Sequence, residues 1–205
     1  SKGHCSPALY ATLARKGFFD KEDLTKFRKL ESNLQGHPDM NKVSGVDMSS
    51  GSLGQGLSVA NGMALNSKLE GLGYRVYCLL GDGELEEGQI WESAMTSSKY
   101  KLDNLCVIVD NNNLQIDGTI EDVKGMKNIE EKFESFGFNV ITVNGNKIED
   151  LINAFNNAKL AKEKPTAIIA ITTKGKGVSF MENKAEWHGK VPSEEQYKLA
   201  LEELK

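Results

Sequence analysis

YRVYCLLGDG, at residues 74–83, is a short apolar run that ends in Gly81-Asp82-Gly83. A second run, LCVIVDNNN at 105–113, ends in Asp110 and three asparagines. Runs of this length, rich in β-branched and aromatic residues and bounded by Gly or Asn, are typical of buried parallel strands. Two neighbouring parallel strands would present their polar ends at one sheet edge, where open α/β sheets bind ligands. Oxygen ligands from Asp, Asn and a nearby carbonyl suit Mg²⁺ or Ca²⁺, with a diphosphate completing the coordination.

Length and charge exclude several classes of protein. The chain has 205 residues, enough for one well-buried domain, which we expect to span 1–205. Its net charge is −4 and it carries no basic stripe, which disfavours nucleic acid as a partner. No apolar run reaches the roughly 18 residues that a membrane-spanning helix needs, so we expect no membrane association.

The cysteines indicate the compartment. Cys5, Cys78 and Cys106 are an odd number without metal-binding spacing, and the last two fall inside predicted strands. Buried free thiols are therefore expected, which favours a reducing, cytoplasmic setting. The chain opens on a polar loop at Ser1 with no preceding element, and we expect further residues upstream.

The periodicity of the apolar residues predicts alternating helices and strands. Helices are expected at 7–15, 21–31, 54–70, 86–99, 147–161 and 193–204, and strands at 75–80, 105–109, 140–143 and 167–172. Residues 32–53 and 173–192 are expected to be loops. This alternation with short connections indicates a doubly wound, mainly parallel α/β sheet with helices on both faces.

An acidic stretch, Glu84 to Gly88, follows the Gly-Asp-Gly turn. We expect it to begin a helix whose free N–H groups and positive dipole end face a phosphate. Two of its three glutamates, Glu84, Glu86 and Glu87, are expected simply to complement that dipole.

The glycine-rich loop SGSLGQG at 50–56 is a second candidate for holding a phosphate. It matches neither the P-loop, which needs a Lys-Ser/Thr pair after its last glycine, nor the Rossmann fingerprint. The alternative is a closely packed helix start, since Gly54, Gly56 and Gly62 would let another backbone approach.

All three histidines, His4, His37 and His188, lie next to a glycine in predicted loops. A zinc site is disfavoured because no two of them share a ligand spacing and Cys5 stands alone beside His4. At an open sheet edge they would suit proton transfer and recognition of sugar hydroxyls, although each could be an ordinary exposed loop histidine. Lys174, in the loop KGKG at 174–177, adds positive charge for a diphosphate or sugar phosphate, with a solvated basic loop as the alternative.

Several strings of sequence together resemble transketolase, a family of thiamine diphosphate enzymes. Gly81-Asp82-Gly83 with the later Asn pair is similar to the motif shared by enzymes of that cofactor. The other matching strings are SKGH (1–4), QGHP (35–38), GSLGQG (51–56), GDGELEEG (81–88), IDG (116–118) and WHGK (187–190). They occur in order over residues 1–192, nearly the whole chain. The resemblance implies the diphosphate domain of the thiamine diphosphate-binding fold.

The resemblance also implies roles for individual residues. The metal, Mg²⁺ or Ca²⁺, would be held by Asp82, Asn112 and the backbone of Leu114. Residues implied to contact thiamine diphosphate are Gly51, Ser52, Leu53, Asp82, Gly83, Asn112, Ile116, Lys174 and His188. Residues implied in catalysis are His4, His37 and His188 near the reactive carbon and the diphosphate, and Glu87 at a dimer interface that links two active sites.

The implied activity is transfer of a two-carbon ketol unit from a ketose phosphate to an aldose phosphate, with the pentose phosphate pathway as the family's usual setting. Transketolases also carry a pyrimidine-binding domain, whose Glu activates the cofactor, and this chain ends at Lys205 without one. The chain is therefore expected to act only with a second subunit that carries the pyrimidine-binding and C-terminal domains. This would be a split transketolase, a dimer of heterodimers, and removal of the second half from a longer chain is the competing explanation.

Three alternatives stay open. One is another thiamine enzyme, either 1-deoxyxylulose 5-phosphate synthase or the α subunit of a 2-oxo acid dehydrogenase, which WHGK and the GHP loop disfavour. Another is a non-catalytic regulatory or assembly module of the same fold, which the intact Asp82, Asn112 and Glu87 disfavour. The third is a generic nucleotide-binding α/β protein. The sequence leaves the donor and acceptor sugars and the choice of metal open.

Overall fold

In the computed structural model, which describes residues 1–205, a four-stranded parallel sheet forms the centre of the protein. The strands are β1 (Val76–Gly81), β2 (Leu105–Asn111), β3 (Leu114–Gln115), β4 (Gly118–Thr119), β5 (Asn139–Asn144) and β6 (Thr166–Ile171). The sheet order is β1-β2-β6-β5, and β3 and β4 form a separate antiparallel hairpin. The predicted pairing of the first two strands is confirmed, since Gly81 lies beside Asp110.

Helices cover both faces of this sheet, as the sequence predicts. They are α1 (Ser6–Arg15), α2 (Gln55–Leu69), α3 (Gly88–Lys99), α4 (Ile120–Val123), α5 (Ile129–Ser135), α6 (Ile148–Ala158) and α7 (Glu194–Glu203). None of them is long and apolar enough to cross a membrane.

The main core lies between one face of the sheet and α2, α3 and α5. Alternate residues of β1 point into it, and Leu105, Val107 and Val109 of β2 are fully buried there. Each such side chain stabilises the fold by about 1.5–3 kcal/mol through burial of apolar surface. This packing fixes the ends of β1 and β2, where the polar motifs begin.

The opposite face is covered by α6, which packs Ala154 and Ala158 against Cys106 and Ile168. Cys78 and Cys106 are buried free thiols, as predicted, one on each face. Burial raises the pKa of Cys78 to about 11 and that of Cys106 to about 12.

A small second core supports the loop that carries His37. It joins Tyr10 and Leu13 of α1 to apolar residues of the loop region. The Tyr10 hydroxyl donates to the carbonyl oxygen of Gln35 at 2.9 Å, and the Ser6 hydroxyl donates to that of Gly36 at 2.7 Å. The side chains of α1 thus hold the Gly36-His37-Pro38 turn in place.

Away from the cavity, the structure differs from the sequence-based prediction in three places. The predicted helix at 21–31 is a 3₁₀ helix over Lys21–Lys26 followed by turns, because Arg28 and Glu31 adopt positive φ angles of 57° and 64°, which end a right-handed helix. The hairpin, α4 and α5 have no predicted counterpart, since elements of two to seven residues are too short to show a period. The predicted close approach of another backbone at Gly62 is wrong, because a Cβ added there would meet nothing within 4 Å.

Candidate functional site

A cavity of about 860 Å³ opens at the carboxyl ends of β1 and β2. It collects most of the predicted site residues from distant parts of the sequence. Those that line it are His4, His37, Gly51, Leu53, Asp82, Gly83, Asn112, Leu114, Ile116, Lys174 and His188. The sheet edge therefore joins the glycine and asparagine motifs to all three histidine loops.

Two predicted site residues, Ser52 and Glu87, do not line this cavity. Ser52 is exposed on the outer side of its loop. Glu87 is also exposed and lies at the N-terminal cap of α3, next to Gly54. Its position outside the cavity leaves its carboxylate accessible to another chain.

Asp82 and Glu84 are the two carboxylates that line the cavity, and each is only 2% exposed. The two oxygens of Asp82 accept hydrogen bonds from the backbone N–H groups of Gly83 at 2.9 Å and Asn113 at 2.5 Å. Burial raises the pKa of Asp82, and these two N–H donors partly oppose the shift. A bound cation would favour the charged form.

The proposed metal ligands offer only oxygen atoms. The side-chain oxygen of Asn112 accepts from the backbone N–H of Leu114 at 3.1 Å, which forms a compact turn directly after β2. A carboxylate, an amide oxygen and a backbone carbonyl are hard ligands that suit Mg²⁺ or Ca²⁺. No cluster of three or more His, Cys, Asp or Glu side chains that could hold a metal occurs in the chain. A metal held by one carboxylate, one amide oxygen and one carbonyl would have coordination positions left for the oxygens of a diphosphate.

Two lysines place positive charge in the cavity. Lys2 forms an ion pair with Asp110; burial lowers the pKa of Lys2, but the Asp110 carboxylate outweighs this and the net shift is upward. The pKa of Lys174 is lowered by burial and by the charge of Lys2. Lys2 is a lining residue that was not predicted from the sequence. Its position two residues before His4 is the feature of the sequence that could have indicated it.

The rings of His4 and His188 stack with centroids 5.1 Å apart and an interplanar angle of 18°. Burial, followed by the charges of Lys174 and His4, lowers the pKa of His188 to about 4. Burial and Lys2 also lower the pKa of His4. His188 is therefore neutral near pH 7, and its Nδ1 is buried without a hydrogen-bond partner.

Close backbone contact joins the first histidine loop to the glycine-rich loop. A Cβ added to Gly3 would lie 2.6 Å from the backbone nitrogen of Gly51 and from the carbonyl carbon of Ser50. Only glycine fits at residue 3, because the backbone of Ser50 and Gly51 cannot give way as a flexible side chain could. The glycine-rich loop is thus a closely packed helix start that also lines the cavity, with Gly54 at φ 84° capping α2.

The acidic stretch differs from the prediction. It forms a four-residue 3₁₀ helix, Gly83–Glu86, and the α-helix begins only at Gly88. The dipole of α3 therefore does not start at the Gly-Asp-Gly turn. Glu84 turns inward and is buried, whereas the prediction treats it as a residue of a helix N-terminus.

These features define an α/β protein with a preformed polar cavity at a parallel-strand edge, suited to a metal-bound diphosphate. A family described as "Transketolase, thiamine diphosphate binding domain" matches residues 1–204. The chain belongs to this family, whose domain binds thiamine diphosphate.

Relatives and solved structures agree with this assignment. The chain is 46% identical over 204 residues to an apulose-4-phosphate transketolase subunit of Phocaeicola vulgatus, covering all of this chain and 72% of the relative. It is 43% identical over 204 residues to the 6-deoxy-6-sulfo-D-fructose transketolase subunit SqwG of a Clostridium species, covering all of this chain and 74% of the relative. The crystal structure of transketolase from Campylobacter jejuni superposes with a TM-score of 0.92 at 37% identity, covering 98% of this chain. The chain spans only 33% of that transketolase.

Proposed function

We propose that residues 1–205 are the single diphosphate-binding domain of a transketolase, which transfers a two-carbon ketol unit from a ketose phosphate to an aldose phosphate. The observation that carries the proposal is the cavity that joins Asp82, Asn112 and Leu114 to Lys174 and the histidines, in a chain of the transketolase family. Relatives that are themselves transketolase subunits, and that match the whole chain, support the same conclusion.

In this proposal the cavity holds thiamine diphosphate through a divalent cation. Asp82, Asn112 and the carbonyl oxygen of Leu114 would bind Mg²⁺ or Ca²⁺, while Lys174 and the Gly83 turn bind the diphosphate. When bound, thiamine diphosphate supplies an electron sink for breaking a carbon–carbon bond beside a carbonyl. The half-buried Gly51 and Leu53 would position the rings, together with the exposed Ile116. Ser52, outside the cavity, would contribute only to the shape of the loop that carries them.

The histidines would move protons on the substrate. His188, neutral because its pKa is about 4, can accept a proton from a hydroxyl of the donor sugar. His4 stacks on it and keeps the ring in place, and His37, beside Gly51, faces the same space. Proton transfer of this kind is worth roughly 10²–10⁴-fold in rate.

Activity would require a second subunit that carries the pyrimidine-binding and C-terminal domains. The names of two relatives describe them as subunits, which supports such a division. Glu87, exposed outside the cavity, would lie at the contact between two copies in a dimer of heterodimers. Buried free thiols without a disulfide support a cytoplasmic location.

The identity of the donor sugar is the part of the proposal that the test decides. The two relatives are named for different sugars, apulose 4-phosphate and 6-deoxy-6-sulfo-D-fructose, so family membership leaves the donor undecided. The donors to compare are these two sugars and xylulose 5-phosphate, which is bound in a crystal structure of a Pichia stipitis transketolase that is similar to this chain.

The test combines the chain with a polypeptide that carries a transketolase pyrimidine-binding domain, thiamine diphosphate and Mg²⁺. Each donor is offered with ribose 5-phosphate, and products are measured by mass spectrometry. We expect an acceptor lengthened by two carbons with at least one donor. Pyruvate is offered in a separate mixture, and its consumption with release of carbon dioxide would instead favour the synthase or dehydrogenase alternatives. Cofactor binding without turnover on any substrate would favour a non-catalytic module.

A further inference from the structure

Glu84 is a buried carboxylate with no cationic partner. It is 2% exposed, and none of the ion pairs in the chain involves it. A buried charge is costly unless hydrogen bonds replace its lost water. The hydrogen bonds of Glu84 therefore explain why it lies there.

Both oxygens of Glu84 accept hydrogen bonds, and the donors come from three separate segments. Oε1 accepts from the backbone N–H of Gly54 at 2.9 Å and from the Ser1 hydroxyl. Oε2 accepts from the backbone N–H of Gly81 at 3.1 Å. One side chain thus links the start of α2 to the end of β1.

Each linked segment carries part of the cavity wall. Gly54 directly follows the loop whose Gly51 and Leu53 line one side, and Gly81 directly precedes Asp82 and Gly83. No side chain of its own caps the start of α2, so the Glu84 carboxylate satisfies the N–H group of Gly54. The distance between Gly54 on one wall and Gly81 on the other therefore depends on the Glu84 carboxylate that bonds to both.

We propose that Glu84 is a positioning residue, whose carboxylate holds the glycine-rich loop 51–54 and the Asp82 turn at a fixed separation before the cofactor binds. This inference rests on the proposed function of the cavity. Glu84 lines the cavity, but its oxygens are occupied by backbone donors. It therefore acts through the two walls that it joins.

Both carboxylate oxygens of Glu84 must accept a hydrogen bond in this geometry. Glutamine would keep the shape but present an N–H group to Gly54 or to Gly81, which leaves two donors facing each other. Aspartate would keep the charge but is shorter by one methylene, about 1.5 Å, and cannot span both walls. Neither residue can replace Glu84 in this arrangement.

The test compares Glu84→Gln and Glu84→Asp with the unmutated chain by calorimetric titration of thiamine diphosphate with Mg²⁺, well below the unfolding temperature of each. We expect both substitutions to weaken binding about tenfold or more, since each loses at least one buried hydrogen bond between the walls. Full affinity in Glu84→Asp would overturn the inference, because the span would then not matter.

A matched control separates positioning from general stability. Asn61 is a buried polar residue of α2 that donates to the Ser93 carbonyl at 2.8 Å and accepts from the Ser97 hydroxyl at 2.7 Å, outside the cavity. Asn61→Ala should lower the unfolding temperature and leave cofactor affinity within about twofold, because it breaks only the contact between α2 and α3. If Glu84→Gln behaves like this control, Glu84 is merely structural and the inference fails.

Amide hydrogen exchange tests the same inference without a variant. The N–H groups of Gly54 and Gly81 should be protected in the cofactor-free chain, because Glu84 holds both. Rapid exchange at both positions would contradict the inference even if the variants do not fold. If the unmutated chain is folded and protected but binds no thiamine diphosphate either alone or with a pyrimidine-domain partner, the proposed function fails, whereas binding unaffected by Glu84→Gln removes only the role of Glu84.

Discussion

The floor and the rim of the cavity differ in how complete they are. The floor, formed by Asp82, Glu84, Asn112 and Lys2, has hydrogen-bond partners within the chain for each of these groups, and Asp110 is the partner of Lys2. The rim, formed by His4, His37 and His188, makes no side-chain hydrogen bond in the chain, and the Nδ1 of His188 is buried without a partner. The hydrogen bonds of the floor are therefore made within this chain, whereas the histidines of the rim are left to bond with a bound molecule.

Removal of a rim side chain should affect turnover and spare binding. His188→Ala, in the complex with a pyrimidine-domain partner, should lower turnover by roughly 10²–10⁴-fold, because a neutral proton acceptor is lost. Affinity for thiamine diphosphate should change only a few-fold, since the floor remains intact. Initial rates and calorimetry on the same samples measure both effects. Unchanged turnover would remove His188 from the mechanism.

A substitution at Gly3, where the loop of His4 contacts the glycine-rich loop, should weaken binding of the cofactor. Gly3→Ala places a Cβ 2.6 Å from the backbone of Ser50 and Gly51, so one of the two loops must move. We expect a loss of about 1–3 kcal/mol in the free energy of unfolding, measured with urea, and weaker cofactor binding.

Gly62→Ala is the matched control for this substitution. Residue 62 lies in α2 with nothing within 4 Å of an added Cβ, and should gain about 0.5–1 kcal/mol from helix propensity alone. Equal stability of Gly3→Ala and the unmutated chain would show that the two loops are not packed as described.

The smallest expected effect concerns pH. The folded pKa of His188 is about 4, below the usual 6.5, because of burial and the positive charges of Lys174, His4 and Lys2. The unfolded chain therefore binds more protons than the folded one between these values, and stability must fall as pH decreases from about 6.5 towards 4. Thermal unfolding at pH 7 and pH 5 should show a larger drop for the unmutated chain than for His188→Gln. An identical drop in both would contradict the neutral, buried state of His188.

Sequence patterns identified the floor only in part. The pairing of β1 and β2 follows from two apolar runs that end in polar motifs, and it is confirmed. The inward turn of Glu84 could not be predicted, because it depends on Gly54, thirty residues away in the sequence, and on Gly81. The Lys2–Asp110 pair joins residues 108 positions apart and leaves no local signal.

The rim was identified by another route. Glycines beside each histidine indicated loops, and resemblance to transketolase supplied the proposed roles of His37 and Lys174. The structure places both residues in the cavity, and their roles stay predictions. The helix predicted at 21–31 was wrong because positive φ angles at Arg28 and Glu31 carry no signature in residues that normally favour helices.

The most direct test of a complete floor is calorimetric titration of thiamine diphosphate with Mg²⁺ into this chain alone, beside an Asp82→Ala version. We predict binding by the unmutated chain and none by Asp82→Ala, because the buried carboxylate is the only charged ligand proposed for the metal. Absence of binding by the folded, unmutated chain would contradict the account, since the floor would then need a second polypeptide to form.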